Sequence, residues 1–110
     1  MIIGVPRERK QGERRVAITP DGAKDLTLAG HTVLVEQNAG ALSGFPDAEF
    51  VQAGAKISSS LEEVWRTCEL LVKVKEPAPE EIQFFRPGLA VFSFLHLAVA
   101  PELTRAMVEK

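Results

Sequence analysis

Five short strand-like runs set the frame of this chain: the apolar Ile2 to Val5, the β-branched Thr32 to Glu36, the weaker Ala55 to Ser58, and the apolar Glu69 to Val74 and Leu89 to Leu95. Each has the length of a buried strand and is bounded by turn or helix signals. The segments between them carry helix-start chemistry. In Thr19-Pro20-Asp21, Thr19 can cap, Pro20 suits the first helical position, and Asp21 favours the positive end of the dipole. That helix is expected to run to about Ala29, with Leu26 and Ala29 on its inner face, and Gly30 ends it. Pro46-Asp47 opens a shorter helix that Gly54 closes. Ser60-Leu61-Glu62-Glu63 matches a capping box, in which Ser60 bonds forward and Glu63 bonds back. The helix it opens reaches about Thr67 and packs Trp65 on the sheet. Pro79 to Phe85 reads as another short helix, and Pro101 opens a last one. Strands alternating with helices predict an α/β fold: an open, Rossmann-like sheet, mainly parallel, with helices on both faces.

The chain's 110 residues make one domain or part of one. A formal net charge of −2 gives no electrostatic reason to bind nucleic acid. No apolar run approaches the ~20 residues of a membrane helix, and the first residues lack a charged n-region and a cleavage site. A cytoplasmic protein without a membrane partner is expected. The lone Cys68 lies beside Leu70-Leu71-Val72 and reads as a half-buried thiol, not a nucleophile. Cysteine and histidine spacing offers no metal site. Gly40-Ala41-Leu42-Ser43-Gly44 lacks the G-x-G-x-x-G spacing and opens no helix. The last helix has no strand after it. A cofactor site of the Rossmann type is therefore expected elsewhere, and the chain reads as a fragment or a subunit.

Three places carry candidate chemistry. Arg7, Arg9, Lys10, Arg14 and Arg15 crowd the loop after the first run. A solvated basic loop accounts for most of them. Arg15, however, begins the apolar stretch Val16-Ala17-Ile18 and should be the least exposed of the group. A partly covered guanidinium suits a planar carboxylate ligand. Lys73 and Lys75 are two apart, so on a regular strand they point the same way. Both could simply cap the strand with charge, or Lys75 could hold a ligand carbonyl oxygen. His96 follows the most apolar run, among Phe94, Leu95 and Leu97. It is either a hydrogen-bonded structural histidine or a general acid/base. In a parallel sheet, Lys75 and His96 emerge at the carboxyl edge, where ligands bind, and the Arg15 loop can reach the same edge. Together these residues would suit a 2-oxo acid. His31 reads as an exposed turn residue. Asp21, Asp25, Glu62 and Glu63 read as helix-end charges.

Four stretches, in order, make the chain resemble alanine dehydrogenases. They are Ile3-Gly4-Val5-Pro6-Arg7-Glu8; Glu13-Arg14-Arg15-Val16-Ala17-Ile18-Thr19-Pro20; Lys73-Val74-Lys75-Glu76-Pro77; and Phe85-Arg86-Pro87-Gly88 with Leu95-His96-Leu97-Ala98. The resemblance implies that residues 1–110 are the incomplete, N-terminal part of a substrate domain. It implies an NAD-dependent reversible oxidative deamination of L-alanine to pyruvate and ammonium. Arg15 would bind the substrate carboxylate, Lys75 the substrate oxygen, and His96 would shuttle the proton. NAD would be bound by a domain after Lys110, so the fragment alone should be inactive. The family is commonly hexameric, so a homo-oligomer is expected. The NAD-binding subunit of proton-translocating transhydrogenase is a similar relative. It typically has a neutral residue in place of Lys75 and no histidine in place of His96, so the dehydrogenase is preferred. A non-catalytic module that binds small acids is the remaining alternative.

Overall fold

A computed structural model describes residues 1–94. Strands β1 (Ile2–Val5), β2 (Thr32–Glu36), β3 (Lys56–Ser58), β4 (Leu70–Lys75) and β5 (Ala90–Phe94) form one sheet in the order β3-β2-β1-β4-β5. Every pairing is parallel. Helices α1 (Pro20–Leu28), α2 (Asp47–Gln52) and α3 (Leu61–Thr67) alternate with the strands, and short 3₁₀ segments lie at Ala41–Ser43 and Pro79–Phe84. The chain builds outward from β1 through β2 to β3. It then crosses to the other side of β1 and lays down β4 and β5. That reversal puts a crevice beyond the carboxyl ends of β1 and β4, the general ligand position in open α/β sheets.

Local chemistry explains where the helices begin and end. Thr19 caps α1 by accepting from the Gly22 amide at 3.2 Å, and Gly30, with φ 96°, turns the chain out of it. Ala29 was expected to face inward, but it lies exposed in the C-terminal cap; Ala23 fills the core instead, one turn behind Leu26. Ser60 caps α3 by accepting from the Glu63 amide at 3.2 Å. The return bond expected from Glu63 is replaced. The Ser60 amide donates to Ser58 Oγ at 3.1 Å, because Ser58 closes β3 only two residues earlier.

The sheet is covered on both faces. Val33 and Val35 belong to one apolar cluster, with Val5, Ala23 and Phe50. Leu34, between them, belongs to the other, with Val64, Trp65, Cys68 and Leu71. That alternation is the strand period of two. So α1 and α2 cover one face and α3 the other. Trp65 stacks between Phe84 and Phe85, with ring centroids 6.0 and 5.8 Å away. Each large side chain so buried stabilises the fold by roughly 1.5–3 kcal/mol. Gly4 lets α3 sit close against β1, since a Cβ there would lie 2.9 Å from Cys68 Cβ. The Arg86 guanidinium donates to the carbonyl of Trp65 at 2.9 Å and so caps the end of α3. Leu95, His96 and the last expected helix lie outside the described residues.

Candidate active site

The loop after β1 is fastened to its neighbours residue by residue. The Arg7 amide donates to Glu36 Oε1 at 2.8 Å, at the end of β2. Arg9 grips the same carboxylate with both prongs of its guanidinium, at 2.9 and 2.6 Å. This bond raises the Arg9 pKa above its ordinary value. On the other side, Lys10 pairs with Glu76 just beyond β4. Glu8, between them, is buried and accepts from the amides of Val74 (2.9 Å) and Lys75 (3.2 Å) and from Lys73 Nζ (3.3 Å).

Lys73 and Lys75 do not share an environment. Lys73 is only 3 % exposed, and its ammonium lies between Glu8 and Glu81, the latter at 3.7 Å. Glu81 is in turn held by Trp65 Nε1 at 2.9 Å and by the Ala78 amide at 2.8 Å. Lys75 is half-buried at the strand end. The reason is a bulge. Val72 pairs with Phe92 and Lys75 with Phe94, so β4 carries one residue more than β5 over that step. The extra residue breaks the two-residue alternation that put both lysines on one side.

Arg15 departs from expectation. Its side chain is 67 % exposed, whereas that of Arg9 is only 17 % exposed. Arg9, not Arg15, is the covered arginine, because the Glu36 carboxylate at the end of β2 draws it in. Arg15 is nonetheless held. Glu13 accepts from its Nε and Nη2, both at 2.9 Å, and from its backbone amide at 2.8 Å. Those bonds, with smaller help from the charge of Lys75, pull the Glu13 carboxyl down to about 2. The same bond to Glu13 raises the pKa of Arg15. Glu13 grips the Nε side of the guanidinium fork. Among the described residues, no hydrogen bond from Nη1 accompanies it.

A cleft of about 240 Å³ opens at this edge, walled by Glu8, Glu13, Arg14, Arg15, Asn38 and Leu42 among others. Lys75 is not part of its wall. Its amide is bonded to Glu8, which is. Arg15 and Lys75 thus converge on one edge of the sheet, through Glu13 and Glu8. His96 lies outside the described residues. Of the other residues singled out, His31 Nδ1 sits 3.3 Å from the chain's amino group, at the opposite edge. Cys68 is fully buried, and burial pushes its thiol up to about 11. Glu8, Glu13, Glu36 and Glu81 were not anticipated. One signal pointed to Glu8 and Glu81: a lysine inside an apolar strand needs a buried anion.

The turn after β1 does not fit the pyrophosphate of a dinucleotide. Such a site needs glycines leading straight into a helix. Here Pro6-Arg7-Glu8 follows β1, a carboxylate fills the turn, and α1 starts only at Pro20. Among the described residues no group of three or more His, Cys, Asp or Glu could hold a metal ion, and no helix is long and apolar enough to cross a membrane.

Comparison with known proteins decides the family. The sequence model described as "Alanine dehydrogenase/PNT, N-terminal domain" matches residues 4–110. The chain belongs to this family. It is 51% identical over 110 residues to alanine dehydrogenase of Bacillus subtilis, covering all of this chain and 29% of that protein. It is 48% identical over 110 residues to alanine dehydrogenase of Methanococcus maripaludis, covering 30% of it. A solved L-alanine dehydrogenase superposes with a TM-score of 0.95 and 44% identity, over 99% of this chain and 30% of that one. The transhydrogenase from Sinorhizobium meliloti superposes with a TM-score of 0.88 and 31% identity, over 97% of this chain and 32% of that one. The chain spans less than a third of the length of the curated relatives named here, and it aligns with them as an alanine dehydrogenase/PNT N-terminal domain.

Proposed function

We propose that residues 1–110 are the N-terminal part of the substrate domain of an NAD-dependent alanine dehydrogenase, which interconverts L-alanine with pyruvate and ammonium. The observation that carries this is the convergence of Arg15 and Lys75 on the carboxyl edge at the switch between β1 and β4. Arg15 holds the substrate carboxylate through the side of its fork that Glu13 leaves open, since guanidinium and carboxylate match as paired planar groups. Lys75 donates to the carbonyl oxygen of pyruvate, or to the corresponding oxygen of the carbinolamine. It favours that oxygen as negative charge grows there. His96 moves the proton as water adds to the imine and ammonia leaves. The cofactor would be held by a part of the whole enzyme that this chain, at 29–30% of the length of the alanine dehydrogenases named above, does not span. The whole protein would be a cytoplasmic homo-oligomer, a hexamer if it follows the family.

The test is NAD-dependent oxidation of L-alanine by the full-length protein. Activity is expected in the native enzyme, with a large loss in Lys75→Ala. Absence of activity in the native protein, or full activity in the variant, would sink this function. The transhydrogenase likeness supports a second reading, an NAD-binding subunit without substrate chemistry. The stronger likeness to L-alanine dehydrogenase, 44% identity and a TM-score of 0.95 against 31% and 0.88 for the transhydrogenase, favours the first reading.

A further inference from the structure

Glu8 lies between the Arg15 cleft, which it helps to wall, and the end of β4. Three observations meet at its carboxylate. Its two oxygens accept from the consecutive amides of Val74 and Lys75, at 2.9 and 3.2 Å. In a regular strand, neighbouring N–H groups point to opposite edges, so one carboxylate cannot take both. The register of β4 against β5 gains its extra residue in this same step, between Val72 and Lys75. Pairing of β1 with β4 through the backbone reaches only Gly4 and Leu71. Beyond that point Glu8 takes the place of the missing strand. Bulges re-aim the side chain that follows them, and the residue that follows this one is Lys75.

Lys73 completes the device. Its ammonium contacts Glu8 Oε1 at 3.3 Å and Glu81 Oε1 at 3.7 Å. Glu81 is anchored to Trp65 in the core. The side chains of Lys73, Glu8 and Glu81 are at most 2 % exposed. Burying three charged groups brings a desolvation cost that a well-packed apolar set avoids. Their contribution here is geometric: they fix one conformation of the bulge. Buried as it is, Lys73 cannot reach a ligand in the crevice.

We infer that Glu8, oriented by Lys73, is a positioning residue for Lys75: it holds the β4 bulge so that the Lys75 amine meets the substrate oxygen. This rests on the role of Lys75 given above. The test uses the full-length protein with NADH bound and compares Glu8→Asp, the pair Glu8→Gln with Lys73→Met, and Lys75→Ala. Glu8→Asp keeps the charge beside Lys73 and so keeps the fold, but its shorter arm cannot span both amides. The double variant removes two of the three buried charges, leaves no unpaired lysine, and leaves Glu81 held by Trp65 Nε1 and the Ala78 amide. Both are expected to keep NADH affinity and to weaken pyruvate binding at least tenfold. Hydrogen exchange at the Val74 and Lys75 amides should quicken in both, a change that general loosening of the fold would not confine to those two sites. Native pyruvate affinity and slow exchange in folded Glu8→Asp, with binding lost in Lys75→Ala, would overturn the role of Glu8 and leave that of Lys75 standing. Native pyruvate affinity in Lys75→Ala would overturn both. If the double variant does not fold, Glu8→Asp decides alone.

Discussion

The two edges of this sheet are fastened by different chemistry. At the amino edge backbone bonds dominate, joined by the exposed Glu69 carboxylate, which accepts from the Ile2 amide at 2.9 Å. The Thr32 amide donates to the carbonyl of Met1 at 3.0 Å, Glu69 to Ile2 at 2.8 Å and Ala90 to Glu69 at 3.1 Å. At the carboxyl edge carboxylate side chains take over: Glu8 on β4, and Glu36 at the end of β2, which receives Arg7 and Arg9. Backbone bonds hold a sheet at little electrostatic cost. Buried charge pairs stabilise less reliably but fix side-chain directions. Buried carboxylates thus gather at the end where an α/β sheet does its chemistry, while the carboxylate at the opposite end, Glu69, is exposed.

Substitutions at the two edges should therefore fail in different ways. The largest effect is expected from His96→Ala in the full-length enzyme. Removing a general acid/base lowers kcat by a factor of ~10²–10⁴ and flattens one limb of the pH–rate profile. An unchanged profile would remove His96 from the chemistry. Next comes Gly4→Val. Its Cβ would lie 2.9 Å from Cys68 Cβ and 3.1 Å from Val64 Cγ1, and overpacking of this kind lowers stability by about 1–3 kcal/mol. Thermal unfolding should show the loss, while pyruvate affinity in the folded fraction stays native. Weakened pyruvate binding without any change in Tm would contradict the division between the packed interior of the sheet and its carboxyl edge.

Arg15→Lys should act the opposite way. Charge is kept but the two-pronged geometry is lost. Pyruvate affinity should fall roughly tenfold, about 1.4 kcal/mol, with Tm unchanged. The smallest effects are titrations. Folding depresses the Glu13 carboxyl from 4.5 to about 2. Its pairing with Arg15 therefore contributes fully above pH 4.5 and fades as pH falls towards 2. A carbon-13 NMR titration of that carboxyl with its midpoint near 4.5 would show that the pair does not form. Cys68, with its thiol raised to about 11 and fully buried, should resist alkylation in the native state and react in urea. Ready alkylation in the native state would mean that α3 does not seal against β1.

The sheet was largely legible in the sequence because local signals agreed with one another. Apolar or β-branched runs marked most of the strands, and Thr19 and Ser60 marked two of the helix starts. The buried charges were not legible, because their meaning depends on partners far along the chain. Glu8 looks like loop charge until the fold brings it against Lys73, 65 residues later. Glu81 looks like helix-end charge until Trp65 turns its indole toward it. The bulge was also hidden, since strand period alone placed Lys73 and Lys75 on one side. Arg15 is exposed for a related reason: Glu13, two residues away, satisfies it at the surface, while the apolar residues that follow are only half covered.

A crystal structure of the full-length protein with pyruvate bound tests the shared site most directly. The pyruvate carboxylate should lie against the Arg15 guanidinium, with the keto oxygen within about 3 Å of Lys75 Nζ. Pyruvate bound elsewhere, with these two side chains out of reach of it, would show that the carboxyl edge of this sheet is not where substrate is held.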